Sequence, residues 1–314
     1  MTGYSLLAVT RSDLRDEDAA QRYDAAAAAM FRPAVLDPVV DFLAGLADGG
    51  RALEFAIGTG RVAVPLVERG VPVSGIELSQ AMVDQLRRKA SAQQIPVVVG
   101  DMATATVPGT FTLVYVVWNS IANLCTQAEQ VQCFRNAARH LAPGGGFVVE
   151  LWIPGIRRYP PGQAAVPFSV TDRHVGFDTF DLATQTGTSH HYQRLDDGSI
   201  RYDHSNFRYI WPAECDLMAQ LAGLTLQQRT ADWTGPPFTS DSGNQSRSGA
   251  SHRISRNPRR TTGSRQSRMA QLRRRASRTA CDVGSAPSAQ RCSWAWRSNP
   301  VSASTAIRYC GSWR

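Results

Sequence analysis

Leu53-Glu54-Phe55-Ala56-Ile57-Gly58-Thr59-Gly60-Arg61 decides how this chain folds. An apolar run carrying one acid stops at two glycines, and Val62-Ala63-Val64-Pro65-Leu66-Val67 follows at once as a predicted helix. Strand, glycine turn and helix make the opening unit of a nucleotide-binding α/β sheet. Glycine suits the turn because a Cβ would keep the backbone from closing on a ligand, and because such turns use positive φ. The N–H groups at the start of the helix then face the ligand without intrahelical partners.

Gly58-Thr59-Gly60-Arg61-Val62-Ala63 also fits the dinucleotide pattern G-x-G-x-x-A. Two acids in the flanks shift the reading. Glu54 stands inside the strand, four residues before Gly58, where a dinucleotide fold carries an apolar residue. Glu77 ends the next apolar run, Val71-Pro72-Val73-Ser74-Gly75-Ile76. An acid at the tip of the second strand accepts both hydroxyls of a ribose, with either kind of cofactor.

Outward from this unit the alternation continues. Gln21 to Met30 is an alanine-rich predicted helix whose Tyr23-Asp24 could lie over a ligand site, and Pro33 to Ala47 carries a helical apolar stripe. Ser79 caps a helix to Ala92; Ile95 to Val99 and Phe111 to Val117 read as strands; Thr126 caps a helix to Leu141; Phe147 to Trp152 is the fifth strand. Short, nearly continuous apolar strands mark a parallel sheet covered on both faces. After Pro154 the rhythm changes to longer alternating strands at Val175 to Leu182, Thr186 to Leu195 and Ser199 to Ile210, the last two joined by Asp196-Asp197-Gly198-Ser199. A helix from Pro212 to Ala222 and a strand from Leu224 to Ala231 return to the main body. The predicted fold is α/β: a doubly wound, Rossmann-like, mostly parallel sheet with an antiparallel β insertion after strand five and a disordered basic C-terminal tail. Its divisions are a mobile arm at 1–20, a cofactor-binding core at 21–153, the insertion with its returning helix and strand at 154–245, and an Arg/Ser-rich tail at 246–314.

The net charge of +8 belongs to that tail. Residues 246–314 hold 15 Arg against the single Asp282, which leaves 19 basic against 25 acidic side chains in 1–245. With five Ile, Leu or Val in 69 positions, the tail cannot bury enough apolar surface to offset its ordering. The abrupt change reads as a departure from the ancestral reading frame near Asp241 to Gln245, and no later apolar run offers a final strand. Alternatively, its arginines, with Trp294, Trp296 and Trp313 interleaved, would grip nucleic acid non-specifically. No apolar run reaches 18 residues and Met1 to Asp18 lacks the order of a signal peptide, so a cytoplasmic location without membrane association is expected. The six cysteines show neither zinc spacing nor a disulfide framework, and no metal is expected.

The motifs Glu54-Phe55-Ala56-Ile57-Gly58-Thr59-Gly60, Gly75-Ile76-Glu77-Leu78-Ser79, Gly100-Asp101-Met102 and His140-Leu141-Ala142-Pro143-Gly144-Gly145, in this order, resemble the class I S-adenosylmethionine-dependent methyltransferases. The resemblance covers roughly Tyr23 to Trp233. Within the family the chain is similar to small-molecule enzymes related to amino-sugar N-methyltransferases, through Trp118-Asn119-Ser120 and the exit from Glu150 to Pro154. It implies that S-adenosylmethionine is the cofactor. Gly58 and Gly60 would admit its methionine moiety, Glu54 would hold the amino group, and Glu77 would take the ribose diol. Leu78 and Met82 would pack on adenine, Asp101 and the Met102 N–H would meet its edge, and carbonyls near Trp118 would also face the amino group. A small-molecule acceptor would lie among Tyr23, Asn119, Trp152 and Trp211, with His190 or His191 as the base. Alternation along a strand lets only one of these two histidines face the site. A nicotinamide-dependent oxidoreductase is the competing enzyme reading of the glycine turn. The residues leave the acceptor, the nucleophile atom and the oligomeric state open.

Overall fold

The computed structural model describes residues 17–153 and 162–239, together with the backbone of the strand at 250–256. Helix α1 spans Glu17–Ala26 and so begins inside the stretch expected to be an arm; residues 1–16 lie outside the described part. A 3-10 turn at Ala28–Phe31 leads to α2 at Pro33–Ala47, where Pro33 occupies the first turn. Strand β1 (Ala52–Phe55), α3 (Ala63–Glu68), β2 (Val73–Glu77), α4 (Gln80–Arg87) and β3 (Val97–Val99) complete the first half. The Ser79 hydroxyl caps α4 by accepting from the Met82 N–H at 3.3 Å. β4 (Phe111–Val116), α5 (Gln127–His140) and β5 (Leu141–Leu151) follow. Thr126 and Glu129 start α5 with a reciprocal capping box.

β1 pairs in parallel with β2 and β4, β2 with β3, and β4 with β5. The sheet order is β10-β11-β5-β4-β1-β2-β3, with β10 at Leu224–Thr230 and β11 at Ala250–Arg256. Alternate residues of each central strand enter opposite cores. Leu53, Phe55, Val114 and Phe147 pack with Phe134 of α5, whereas Ala52, Leu113, Tyr115 and Val148 pack with Leu43 of α2 and Leu66 of α3. Glu54, in register with Tyr115, lies on the α2 and α3 side.

Strand β11 corrects the reading that nothing after residue 245 closes the sheet. It runs antiparallel between β5 and β10, in register from Ala250↔Leu151 to Ser255↔Gly146 and from Leu224↔Arg256 to Thr230↔Ser251. Its sequence, Ala-Ser-His-Arg-Ile-Ser-Arg, has no apolar run because the ladder on both sides supplies the order through backbone bonds. The rest of the tail, 257–314, lies outside the described residues, so its expected disorder does too.

The insertion is a separate antiparallel sheet, β6-β7-β8-β9, at Ala165–Val170, His174–Asp181, Thr186–Arg194 and Ile200–Arg208. β6 was not legible as a strand, and its register is broken between Pro167 and Ser169. Helix α6, Pro212–Leu221, returns the chain to β10. Among the described residues, no helix is long and apolar enough to cross a membrane.

Ile254→Pro removes one ladder N–H from β11 and orphans its partner. It is expected to cost about 1–3 kcal/mol and to lower the midpoint of thermal unfolding, measurable by calorimetry; an unchanged midpoint would deny β11 its place in the sheet.

Candidate functional site

The strand order reverses between β1 and β4, and such a sheet opens a crevice at the C-terminal ends of the strands around that point. β1 delivers the glycine turn there. Ala56, Gly58 and Gly60 have φ of 54°, 58° and 80°, all left-handed. The two glycines are favoured on partly different grounds. A Cβ on Gly60 would lie 2.3 Å from Leu86 Cδ1 and 3.2 Å from Val64 Cγ2, so crowding adds to the left-handed φ in favouring glycine. A Cβ on Gly58 would meet the Met82 methyl at 3.4 Å and the Ala56 carbonyl oxygen at 4.0 Å, ordinary van der Waals contacts, so there the left-handed φ rather than crowding favours glycine.

Glu77, at the tip of β2, fastens this turn. One carboxylate oxygen accepts the Gly58 N–H at 2.8 Å and the other accepts the Ser79 N–H at 2.9 Å. Beside it Leu78 is 38 % exposed, large for an apolar side chain next to a buried acid, while Met82 is buried. The Gly100 N–H donates to the Glu77 carbonyl at 2.8 Å, which brings the Gly-Asp turn to the same rim. Asp101 accepts the Ala103 N–H at 2.7 Å, and Met102 is held through its carbonyl by Asn136 at 2.8 Å. Glu77 and Met82 thus lie against Gly58, Leu78 follows Glu77 in sequence, and the Gly100-Asp101 turn is tied to the Glu77 backbone.

Two more buried acids stand near the C-terminal ends of the central strands, Glu54 in β1 and Glu150 in β5. Glu54 is buried and accepts the Tyr115 hydroxyl at 2.9 Å. Burial pushes its carboxyl up to about 8, against the opposing hydrogen bond from Tyr115 and the charge of Arg61. Glu150, near the end of β5, accepts the Trp118 N–H at 2.6 Å and the Trp233 indole N–H at 3.1 Å. Burial raises its pKa as well, while the Trp118 N–H and Arg61 oppose the rise. Arg61 lies over the Trp118 ring at 4.9 Å. Trp118 and Asn119 follow β4 with φ of 59° and 54°, an unfavourable pair for non-glycine residues and a stored strain. Glu150 holds the first, and Asn119 accepts the Trp152 N–H at 3.1 Å. Trp118 and Trp152 meet edge to face at 5.8 Å.

Sequence reasoning passed over Arg61, Tyr115 and Trp233, and gave Glu150 only a place in a motif. The signal for Glu150 was the one that exposed Glu54, an acid inside an apolar strand. Tyr23 is half-buried on α1, whose Asp24 accepts the Thr59 hydroxyl of the glycine turn at 2.5 Å. Trp211 packs on Tyr209, at 5.5 Å, beside the insertion sheet.

The two histidines of β8 do fall on opposite faces. His190 stacks on Phe177 at 4.8 Å and meets the Tyr202 hydroxyl at 2.8 Å, on the face that leaves Tyr192 and Tyr202 exposed. His191 is on the covered face with buried His174, Asp178 and Ser189. Its Nδ1 lies 3.0 Å from His174 Nε2, and its Nε2 lies 3.3 Å from the Ser189 hydroxyl. Ser189 hydrogen-bonds Asp178, whose carboxyl burial pushes up to about 6. The other Asp178 oxygen is buried without a partner.

A parallel sheet whose first strand runs into a left-handed glycine turn, with a buried acid at the tip of the second strand, has the build of a nucleotide-binding protein of the doubly wound class. Comparison with known proteins narrows it. Residues 52–145 match the family described as a methyltransferase domain. The chain is 34% identical to the CcbJ methyltransferase of Streptomyces caelestis, over 70% of this chain and 88% of that one, with a TM-score of 0.62. It is 29% identical to the cypemycin N-terminal methyltransferase of a Streptomyces species, over 62% of this chain and 80% of that one. It is also 32% identical to the dTDP-4-amino-2,3,4,6-tetradeoxy-D-glucose N,N-dimethyltransferase of Saccharopolyspora spinosa, over 32% of this chain and 39% of that one. The chain belongs to the S-adenosylmethionine-dependent methyltransferases. The nicotinamide reading is set aside.

Two stability tests follow from the buried acids. Glu150→Ala leaves two N–H donors without an acceptor and is expected to cost roughly 2–4 kcal/mol, read by chemical denaturation. Because the folded protein binds the Glu54 proton more tightly than the unfolded chain does, stability is fullest below the ordinary carboxylate value of 4.5 and falls as pH rises towards about 8. Glu54→Gln should flatten that fall in thermal midpoints measured without ligand; an unchanged slope would place the titration elsewhere.

Proposed function

We propose that the protein methylates an amine on a small molecule, with S-adenosylmethionine seated on the glycine turn. The observation that carries this reading is the Glu77 carboxylate, fixed by the Gly58 and Ser79 N–H groups beside the turn. Glu77 takes the ribose hydroxyls, Leu78 and Met82 flank the adenine, and Asp101 with the Met102 N–H reads its edge. Gly58 admits the methionine moiety, Gly60 keeps the turn packed on α4, and Glu54 and the carbonyls near Trp118 face the amino group. Asn119, Trp152 and Tyr23 line the acceptor side, and Trp211 stands farther along it. The amine acceptor follows the relatives, whose names include an N-terminal and an amino-sugar N-methyltransferase.

The cofactor supplies an electrophilic methyl on sulfonium sulfur, so the protein chiefly aligns a nucleophile and excludes water. Alignment alone is worth several kcal/mol, about 7–11 in the best cases. An ammonium acceptor must first lose a proton, and His191 is the proposed base because its hydrogen-bonded chain ends on the Asp178 carboxyl. With Asp178 ionised, one set of tautomers satisfies the whole chain: Ser169 O–H to His174, His174 Nε2–H to His191, His191 Nε2–H to Ser189, and Ser189 O–H to Asp178. Both histidines have both ring nitrogens engaged, His190 by Thr179 at 3.1 Å and by Tyr202, His191 by His174 and Ser189, so His191 takes a proton only when His174 releases its Nδ1.

Titration calorimetry with S-adenosylmethionine tests the cofactor seat. Glu77→Ala should weaken binding roughly 10–100-fold. Near pH 7 an ammonium beside Glu54 should drive off its proton, so binding releases protons and tightens as pH rises towards about 8. Proton uptake, or wild-type affinity in Glu77→Ala, would refute the assignment. For the acceptor side, His191→Gln should lower kcat at neutral pH far more than it changes KM for the cofactor, measured with an amine acceptor found by screening.

A further inference from the structure

We propose that Lys89 is a positioning residue that pins α1 onto the glycine turn and so governs how tightly the cofactor is retained. This rests on the cofactor seat proposed above. Lys89 is the sole lysine of a chain that otherwise uses arginine for every basic side chain, and it stands just after α4. Its ammonium pairs with one oxygen of Asp24, donates to the Thr59 carbonyl at 3.0 Å and lies 5.3 Å from the centre of the Phe31 ring. The second Asp24 oxygen accepts the Thr59 hydroxyl at 2.5 Å. Asp24, Lys89 and Thr59 thereby close a ring of three contacts. Thr59 is the middle residue of Gly58-Thr59-Gly60, 1 % exposed, and is held by its side chain from α1 and by its carbonyl from α4.

Lysine suits this junction and arginine does not. A compact ammonium directs three donors apart, towards a carboxylate, a carbonyl and a ring face, whereas a planar guanidinium aims its donors in one fork. The position beyond the C-terminus of α4 also favours a cation. Asp24 and Lys89 are about one third exposed, so the ion pair alone contributes little. Its effect comes through what it connects: without the ammonium, the Thr59 carbonyl loses a donor and Asp24 of α1 loses its ion pair to the end of α4, beside the turn that carries Gly58. The entry side of the turn would then open more often, and the bound cofactor would leave sooner.

The test compares wild type, Lys89→Met, Asp24→Asn and Lys89→Arg for S-adenosylmethionine binding by calorimetry and for initial rates. Lys89→Met and Asp24→Asn should each raise Kd and KM for the cofactor about fivefold. The double variant should be no worse than the poorer single one, because both break the same ring. Turnover at saturating cofactor should fall by no more than about twofold, and Lys89→Arg should recover part of the lost affinity. Wild-type affinity in both single variants overturns the proposal, as does a loss of turnover with affinity unchanged. If Lys89→Met fails to fold, Asp24→Asn, on a different helix, decides the matter alone. Failure of the wild-type protein itself to bind S-adenosylmethionine would instead remove the cofactor seat, a result distinguishable from variants that bind as wild type does.

Discussion

The structure depends on one carboxylate that serves two backbones. Glu77 ends β2, yet it accepts the N–H of Gly58 from the turn after β1 and the N–H of Ser79 at the cap of α4. Two βα units are joined by a buried acid whose charge is stabilised by these two donors. The Gly58 conformation, the Ser79 cap and the position of Met82 all follow from that junction. An acid so placed orients the turn, and in the proposed cofactor seat the same carboxylate would meet the ribose, so that fold and recognition would share atoms.

Below this junction the protein holds free energy in reserve. Glu54 and Glu150 are buried, with their pKa values raised by desolvation, and Arg61 opposes that rise at both. Trp118 and Asn119 keep left-handed backbones that ordinary residues avoid, fixed by Glu150 and by the Trp152 N–H. Strained backbone and under-compensated charge cluster at sites whose ligand completes them. A cationic cofactor is the completion that this arrangement favours.

Much of this was legible in the sequence, and the failures have physical causes. The parallel core was plain because strands buried on both faces must be apolar throughout, and an acid inside one, Glu54, announced itself. Glu77 was singled out by its position at a strand tip, whereas the role proposed for Asp101 came only from the family resemblance. The partners of Glu54 were not legible, because Tyr115 belongs to a strand 61 residues away and only the β1–β4 register brings them together. β11 was missed for the opposite reason: its place is set by backbone ladders on both sides, which leave no periodic signature in Ala-Ser-His-Arg-Ile-Ser-Arg. The histidine pair shows a middle case. Alternation separated the faces of His190 and His191, but the chain from His191 to Asp178 needed the pairing of β7 with β8.

The most direct examination of the central claim is a crystal structure with S-adenosylhomocysteine bound. The account predicts both ribose hydroxyls within hydrogen-bonding distance of the Glu77 carboxylate and the amino acid end of the ligand against Gly58. A ligand bound with its ribose away from Glu77, or with Gly58 remote from it, would contradict the account.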